Sequence, residues 1–307
     1  MESEWIKWLR ERLPTSPGVE VGLGDDAAVL RAGAASSSRI VVTTDLLTDQ
    51  VHFELGKHDP RQIGYKALAV NLSDLAAMAA RPTAAFVSIA LPHSGGLELA
   101  KQIYEGFLPL AERYEVAIAG GDTNSWAESL VISMTLLGQT TDRGPLLRRG
   151  VLPGDQLLVT GTFGGSILGR HLQFEPRVNE SLYLHGAYQL HAGLDCSDGL
   201  LLDTHRLCEE SGCGALIDLQ AVPISPQAEQ LTQQSADGRS ALDHALSDGE
   251  DFELILAVPP AEAERILSDQ PLDVPLTRIG EFVDEPGLWQ TTAAGRAALS
   301  PRGFLHG

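Results

Sequence analysis

The feature that most constrains the fold is a long apolar helix pattern placed between two strand patterns. Residues 59–80, DPRQIGYKALAVNLSDLAAMAA, open with Asp and Pro, which favour a helix start, and continue with apolar residues at helical spacing. Residues 39–45, RIVVTTD, are β-branched, and residues 84–92, AAFVSIALP, also have a strand pattern. This strand, helix, strand order restricts the chain to folds that mix helices and sheets.

The same alternation continues through the rest of the sequence. The first half is predicted to contain, after residue 92, a helix over 96–114 and strands over 116–121 and 129–139. The second half is predicted to contain a strand over 156–161, a helix from about Gly164, helices over 179–191 and 198–211, strands over 214–219 and 252–259, a helix over 260–268 and a strand over 276–282.

Length and the middle of the sequence both predict two domains. The chain has 307 residues and 43% hydrophobic content, enough for a substantial core and about two domains of ordinary size. Residues 140–155 are rich in Gly, Pro and charged residues, as a connection between domains should be. We therefore predict domains at 1–142 and 143–307, each of α/β or α+β character.

The N-terminal segment and the cysteines narrow the cellular setting. Residues 1–13, MESEWIKWLRERL, lack the order of a signal peptide, and no stretch approaches the ~20 apolar residues of a membrane span, so we expect a cytoplasmic protein. Helical spacing in this segment predicts a first helix packed on the core through Trp5, Trp8, Leu9 and Leu13. Disulfide and zinc sites are disfavoured by the number and spacing of Cys196, Cys208 and Cys213.

Charge indicates the kind of ligand. Asp and Glu number 41 against 22 Lys and Arg, so the formal net charge is -19. Such a surface argues against binding of nucleic acid or anionic lipid through phosphates. A polyanionic ligand would need metal ions between itself and the protein.

The placement of the acids is the informative pattern. Six short segments put Asp or Glu beside Gly, Ser or Thr near an element boundary: GLGDDA (22–27), TTD (43–45), NLSD (71–74), GGDTN (120–124), LDCSDG (194–199) and SDGEDFEL (247–254). Any one of them alone reads best as a turn or a helix cap. Asp74 is different because it lies inside an apolar helix pattern, where a carboxylate gains nothing from capping.

Converging carboxylates would require a counter-charge. Two of them ~4 Å apart repel by ~4 kcal/mol at an effective dielectric of about 20, so a cluster must hold protons or divalent cations. Oxygen ligands favour Mg²⁺ or Ca²⁺, and the spacing is not that of an EF-hand. Mg²⁺ shared between carboxylates and substrate phosphates is typical of phosphoryl transfer. Residues 161–169, GTFGGSILG, lack GK[ST], so we interpret them as a tight turn rather than a phosphate loop.

An ordered set of motifs resembles one known family. In chain order the motifs are GDDAAV, TTDLLTDQVHF, GYKALAVNLSDLAAMAARP, AGGDT, RRGVLPGDQLLVTG, DCSDGLLLD, GEDFEL and a final GF. From about residue 20 onward the chain is similar to the thiamine-monophosphate kinase family, within the superfamily of aminoimidazole ribonucleotide synthase. The resemblance implies an α+β, two-domain fold: an N-terminal α/β domain that binds ATP and Mg²⁺ and dimerises through a mixed sheet, and a C-terminal α/β domain that closes over the substrate.

The resemblance also implies roles for particular residues. Several Mg²⁺ ions would be held by Asp26, Thr43, Thr44, Asp45, Asp74, Asp122, Asp195 and Asp198. ATP would be contacted by Tyr104, Gly121, Asp122, Arg148 and Ser197. Thiamine monophosphate would be contacted by His52, Glu250 and Phe304, and the catalytic set would be Asp45, Asp74, Asp122 and Arg148.

Each of these residues has a plainer alternative. His52 could be a structural residue, Tyr104 could belong to the core, and Arg149 could take the place of Arg148. Glu250 could be part of a solvated acidic turn together with Asp248 and Asp251.

The activity implied by the resemblance is ATP-dependent phosphorylation of thiamine monophosphate to thiamine diphosphate in a homodimer. The acceptor phosphate has a second pKa near ~6, so direct in-line transfer needs no general base. Two alternatives remain open: another ATP-using member of the superfamily, of the aminoimidazole ribonucleotide synthase or selenophosphate synthetase type, and a non-catalytic regulator that binds metal or nucleotide.

Overall fold

The protein is built on two mixed β-sheets with helices packed against them. The computed structural model describes residues 2–13, 16–31, 39–235, 237–292 and 295–304. The two sheets lie on either side of the connection at 141–155 in the sequence, and the division into 1–142 and 143–307 stays a prediction. None of the described helices is long and apolar enough to cross a membrane.

The first sheet has six strands in the order β1-β2-β3-β6-β4-β5, and only the β4–β5 pair is parallel. The strands are β1 (Val19–Val21), β2 (Ala28–Arg31), β3 (Arg39–Thr48), β4 (Ala80–Pro92), β5 (Ala117–Trp126) and β6 (Val131–Thr140). The helices that cover one face are α2 (Pro60–Ala77) and α3 (Gly96–Arg113), after an N-terminal α1 (Glu2–Arg10).

Side chains on β3 and β6, and on β4 after its irregularity between Pro82 and Ala84, alternate between the two faces of this sheet, because successive side chains of a strand point in opposite directions. We call the face under α2 and α3 the inner face; it holds buried residues such as Val41, Val87 and Met134. We call the opposite face the outer face; Leu46 there is 57% exposed and Phe86 is 40% exposed. Within the described ranges of the chain, helices therefore cover only one side of the first sheet.

Helix α2 is the central element of the first half. The Asp59 side chain accepts a hydrogen bond from the backbone N–H of Arg61 at 2.9 Å, and Pro60 occupies the first turn, which explains the helix start. The helix ends before Ala79, whose φ of 48° is left-handed, and β4 begins at Ala80. The predicted helix therefore ran three residues too far, and the predicted strand at 84 began four residues late.

The second sheet has seven strands in the order β13-β12-β9-β11-β7-β10-β8, and only the β12–β9 pair is parallel. The strands are β7 (Gln156–Thr160), β8 (Ala192–Asp195), β9 (Gly214–Ile217), β10 (Leu254–Val258), β11 (Leu276–Val283), β12 (Gly287–Thr292) and β13 (Gly295–Leu299). The helices of this half are α4 (Val178–Ala187), α5 (Leu200–Ser211), α6 (Pro226–Gln234), α7 (Ala241–Ser247) and α8 (Pro260–Asp269).

Two predicted features of the fold are wrong. The helix expected from about Gly164 is instead a pair of short 3₁₀ turns, Ser166–Leu168 and Arg170–Leu172, separated by Gly169 at a φ of 122°. The first helix forms as predicted, but it does not bury its aromatic residues: Trp5 and Trp8 are exposed and stack on each other with ring centroids 5.0 Å apart. Helical spacing identified the helix, but it did not determine what covers the helix.

One hydrophobic core joins the two halves of the chain. It runs from the inner face of the first sheet through α2 into the second half, where it includes Leu158, Leu184 and Leu256. Helix α2 contacts β8 and α4 as well as its own sheet. The ends of α2 and β8 are thereby brought side by side, which positions the site described next.

Candidate active site

Three of the predicted metal ligands meet at the junction of the two halves. The carboxylate oxygens of Asp26, Asp74 and Asp195 lie within 4.8 Å of one another. Asp26 is in the turn before β2, Asp74 is on α2, and Asp195 is the last residue of β8. Neighbouring elements from both halves are therefore needed to build this acidic cluster.

Two members of the cluster receive hydroxyl groups rather than cations. Thr43 Oγ1 on β3 donates a short hydrogen bond to Asp74 Oδ2, and Ser73 Oγ donates to Asp195 Oδ2 at 2.5 Å. Ser73 precedes Asp74 on α2, so one residue of the helix supplies a member of the cluster and its neighbour donates a hydrogen bond to another member.

The only guanidinium that contacts the cluster among the described residues belongs to Arg148. Its Nη2 lies 2.5 Å from Asp26 Oδ1, and its Nε lies 3.2 Å from Asp26 Oδ2. Its backbone N–H donates to Asp25 Oδ1 at 3.2 Å. Burial would lower the pKa of Arg148, but the attraction of Asp26 outweighs that effect and raises it, so the guanidinium stays charged.

Asp45 adds a fourth acid from the inner face of β3. Its Oδ2 atom is buried and has no hydrogen-bond partner among the described residues, although the rest of the residue is partly exposed. Burial raises the pKa of Asp45 to about 6. A buried carboxylate oxygen without a donor is expensive unless a proton or a cation satisfies it.

The electrostatics of the cluster favour cation binding. Burial, and then the neighbouring carboxylates, raise the pKa of Asp74 well above its usual value; burial followed by Asp26 does the same for Asp195. Without a cation these groups hold protons at pH values where an exposed Asp is ionised. All the ligand atoms are oxygens, and the negative charge exceeds what Arg148 can balance, so the residues fit Mg²⁺ or a similar hard cation.

Asp198 lies apart from this cluster and has its own cation. Its Oδ2 is 2.5 Å from Arg206 Nη1. The buried Asp203 accepts hydrogen bonds from the backbone N–H groups of Asp198 and Gly199 at 2.9 and 3.0 Å, and it also pairs with Arg206. We call residues 195–199 the Asp-Gly loop. It is held by two residues of the following helix α5, Asp203 and Arg206, and neither was predicted from the sequence.

The predicted ligands on β3 and β5 are divided between the two faces of the first sheet. Thr43 and Asp45 point to the inner face, whereas Thr44 is exposed on the outer face, with its Oγ1 3.0 Å from Thr135 Oγ1. Asp122 on β5 is also exposed. It lies three strands from β3, about 14 Å at ~4.8 Å per strand. A single chain does not bring Thr44 and Asp122 to the acidic cluster.

Two predicted nucleotide residues lie on the β5 side of the first sheet. Gly121 has a φ of 153°, and a Cβ there would approach the Val87 carbonyl oxygen to 1.8 Å, so only glycine fits. Tyr104 on α3 is half-buried with its ring centroid 4.5 Å from that of Phe107. Two surface grooves, of about 610 and 590 Å³, are lined by other residues and contain none of the predicted site residues.

His52 and Glu250, predicted to contact the acceptor, share one buried lysine. Lys66 on α2 donates from Nζ to the His52 carbonyl oxygen at 2.8 Å, and it forms a short ion pair with Glu250 Oε1. Phe304 is exposed, and its backbone N–H donates to the Asp198 carbonyl oxygen at 2.8 Å. Sequence analysis missed Lys66, although the reasoning applied to Asp74, a charge inside an apolar helix, applies equally to it.

The turn that presents Glu250 is strained. Glu250 and Phe252 have φ values of 53° and 52°, in the left-handed region that side chains other than glycine seldom adopt. Such strain typically costs of order 1–3 kcal/mol and is concentrated at functional sites. The Phe252 ring stacks on Phe174 with centroids 3.9 Å apart, and the Glu250 N–H donates to the Ser197 carbonyl oxygen at 2.6 Å. These contacts hold the turn against the Asp-Gly loop.

Comparisons with known proteins agree with this geometry. Two family models match the chain: AIR synthase related protein, N-terminal domain, over residues 24–140, and AIR synthase related protein, C-terminal domain, over residues 152–288. A thiamine-monophosphate kinase of Rhodopirellula baltica is 45% identical over 313 residues, covering 100% of this chain and 98% of its own length.

Two solved structures are similar over nearly the whole chain. AaThiL complexed with AMPPCP and TMP gives a TM-score of 0.82 at 27% identity, covering 98% of this chain and 94% of that chain. A thiamine-monophosphate kinase of Stenotrophomonas maltophilia gives a TM-score of 0.74 at 32% identity, covering 94% of each chain.

The two sheets, the shared core and the acidic junction define a class, the two-domain α+β proteins related to AIR synthase. Within that class the identity over the full length is decisive. The chain belongs to the thiamine-monophosphate kinase family. The resemblance read from the motifs and the predicted α+β fold are both confirmed.

Proposed function

We propose that this protein transfers the γ-phosphoryl group of ATP to thiamine monophosphate, forming thiamine diphosphate and ADP. The observation that carries the proposal is the junction of Asp26, Asp74 and Asp195, where three acids from different elements face one guanidinium. The family membership and the likeness to the AaThiL complex with AMPPCP and TMP support the choice of both substrates. The need for ATP supports the predicted cytoplasmic location.

Mg²⁺ is the cofactor that this donor set fits. We propose that Asp26, Asp45, Asp74 and Asp195 hold Mg²⁺ together with Thr43, as their buried oxygens and raised pKa values suggest. When bound, Mg²⁺ would neutralise the phosphate oxygens that must approach one another. The roles predicted for Thr44, Asp122 and Asp198 in metal binding remain part of the proposal.

The other residues of the site would act by placing the two substrates. Arg148 is charged, and Asp26 fixes its guanidinium, so it would bind phosphate oxygens from a preset position. Tyr104, Gly121, Asp122 and Ser197 would contact the nucleotide. His52, Glu250 and Phe304 would hold the acceptor, with Glu250 attracting its cationic ring and Phe304 stacking on it. The acceptor phosphate is already ionised near neutral pH, so no residue is assigned as a general base.

We further propose a homodimer formed through the outer face of the first sheet. Exposed Leu46 and Phe86 make that face partly apolar, and β5 leaves one edge of the sheet open. A second copy on this face would cover Thr44 and Asp122, and both residues would then lie at the interface. Sedimentation of Phe86→Glu, which places a charge on the outer face, tests this arrangement: the variant should be monomeric where the unaltered protein is dimeric.

The test of the reaction is ADP release by the purified protein with ATP and Mg²⁺. Thiamine monophosphate, unphosphorylated thiamine and no acceptor should be compared, because only the monophosphate should support turnover. Asp74→Asn should abolish turnover, whereas Asp284→Asn, the same change in an exposed turn, should not. ADP release that is indifferent to the acceptor, or absent throughout, would refute the proposal.

A further inference from the structure

Lys66 is among the largest side chains that are fully buried in the described part of the chain, with 1% of it exposed, and the others in that group are apolar. Lysine is among the residues least often buried, because removing its ammonium from water carries a large desolvation penalty. An apolar residue would fill the same place on α2 without that penalty. Lys66 is therefore expected to do something that an apolar side chain cannot.

The contacts of Lys66 join three separate elements. From α2, its Nζ reaches the carbonyl oxygen of His52, in the loop after β3, and the carboxylate of Glu250, in the turn before β10. The first loop belongs to the first half of the chain and the Glu250 turn belongs to the second. One ammonium thus holds two of the three segments that are proposed to contact the acceptor.

The pair leaves part of Glu250 available. Oε1 is bound to Lys66, whereas the side chain as a whole is 32% exposed. Oε2 accepts no hydrogen bond from the described residues that would compete with a ligand. A carboxylate fixed through one oxygen keeps the other for a donor group, and the fixation removes the rotamer freedom that binding would otherwise have to restrict.

We infer that Lys66 is a positioning residue for the phosphoryl acceptor: it fixes the Glu250 carboxylate so that Oε2 faces the amino group on the pyrimidine ring of the acceptor. This inference rests on the proposed function and deepens it. The left-handed backbone of Glu250 agrees with it, because a strained residue persists only where its surroundings hold it.

The experiment is a comparison of steady-state constants for Lys66→Met and Lys57→Met. Methionine keeps the length of the side chain and removes the charge. Lys57 pairs with Glu54 at 2.7 Å on the surface, so it provides the matched control. Lys66→Met should raise the KM for thiamine monophosphate by about tenfold or more, the usual worth of a hydrogen bond to a charged group. Its KM for ATP should change less than about twofold, and Lys57→Met should change neither.

A double-mutant cycle separates positioning from general damage. If Lys66 acts through Glu250, then adding Lys66→Met to Glu250→Gln should change the acceptor KM by less than about twofold. Thermal melting of all variants identifies any that do not fold. If Lys66→Met alone unfolds, the double variant, which removes both charges, can still be compared with Glu250→Gln.

Four results would each overturn either the role of Lys66 or the proposed function. Full additivity in the cycle, or an equal rise in the KM for ATP, would overturn the role of Lys66. An unchanged acceptor KM in a folded Lys66→Met protein would do the same. Absence of acceptor-dependent ADP release by the unaltered protein would instead refute the proposed function itself.

Discussion

Two sets of buried acids in this protein are neutralised in different ways. In the second half, Asp251 pairs with Arg170, Glu253 pairs with Arg177 at 2.7 Å, and Asp203 pairs with Arg206 at 2.8 Å. We call these the paired acids. At the junction of the two halves, Asp45, Asp74 and Asp195 have no Lys or Arg partner among the described residues, and only Asp26 has one.

The difference between the sets separates structure from chemistry. A buried acid with its own guanidinium is satisfied by the fold, and removing either member leaves a charge without a partner. An acid in the interior without a cation partner accepts hydrogen bonds from hydroxyl groups here, but its charge is balanced only by a proton or by a cation that binds from outside. The paired acids therefore belong to the folded structure of the second half, whereas under the proposed function the junction acids bind Mg²⁺, and without it their repulsion costs stability.

The largest expected effect is the loss of activity in Asp74→Asn. The amide keeps the shape of the side chain but removes a charge from the centre of the junction. We expect the rate to fall about a thousandfold, within the range found when one electrostatic contact to a transition state is removed. Acceptor-dependent ADP release measures it.

The same variant should be at least as stable as the unaltered protein without metal, because the repulsion at the junction is reduced. Urea unfolding in the presence of a chelator checks this. A marked loss of stability would place Asp74 among the acids that support the fold.

The opposite result is expected for the paired acids. Arg177→Met leaves Glu253 buried without its cation, so we expect the free energy of unfolding to fall by about 3–5 kcal/mol. Urea denaturation measures the change. In the double variant with Glu253→Gln most of the loss should be recovered, because no buried charge is left unpaired. If the double variant were as unstable as the single one, lost packing rather than charge would be the cause.

A smaller change in the free energy of unfolding is expected when the pH of the metal-free protein is varied. Burial raises the pKa of Asp45 to about 6, and burial together with Asp26 raises that of Asp25 to about 7. The folded form binds these protons more tightly than the unfolded form, whose Asp pKa is ~3.9. The stability they contribute is present at low pH and is lost as the pH rises through these two values.

Mg²⁺ should therefore stabilise the protein more at pH 8 than at pH 5. We expect millimolar Mg²⁺ to raise the melting midpoint by about 5 °C at the higher pH and by less at the lower pH. A NaCl solution of the same ionic strength serves as the control for screening by salt. An equal shift at both pH values would mean that the junction acids are not the groups that bind the ion.

The smallest effect is expected at an exposed pair that resembles neither set. Arg61 Nη2 lies 2.6 Å from Glu105 Oε2 on the surface, with both side chains about half exposed. Arg61→Ala should lower the free energy of unfolding by less than about 1 kcal/mol. A larger loss by urea unfolding would show that burial is not what distinguishes the costly pairs.

Sequence periodicity predicted those helices and strands whose apolar pattern is long or has clear residues at its start and end. Helices α2 and α3 and strand β6 were placed within three residues at each end, because many side chains in each follow one period. The short strands β1, β2 and β8 were missed, since three or four residues carry too little pattern to be recognised. The helix expected from Gly164 was wrong because glycines at left-handed φ values interrupt it.

The candidate site was predictable in its residue types but not in its pairing. Asp74 stood out as a charge inside an apolar helix, and the structure places it beside Asp26 and Asp195. The predicted strand already requires Thr43 and Thr44 to face opposite sides of the sheet, but the sequence could not show which of the two faces the acidic cluster. The hydrogen bond from Ser73 to Asp195 joins segments that are far apart in the sequence, so no local pattern reveals it.

The hydrophobic core that runs through α2 has a consequence for how the chain can be cut; a second cluster, around Leu157 and Ile255, lies within the second half. Family models divide the protein near residue 140–152, yet Leu158, Leu184 and Leu256 from the second half pack in the same cluster as α2. A fragment ending at the boundary would expose the side of α2 that meets β8 and α4. The two halves can therefore be told apart in the sequence, but the core around α2 belongs to both of them. We expect them to unfold together, in one calorimetric transition rather than two.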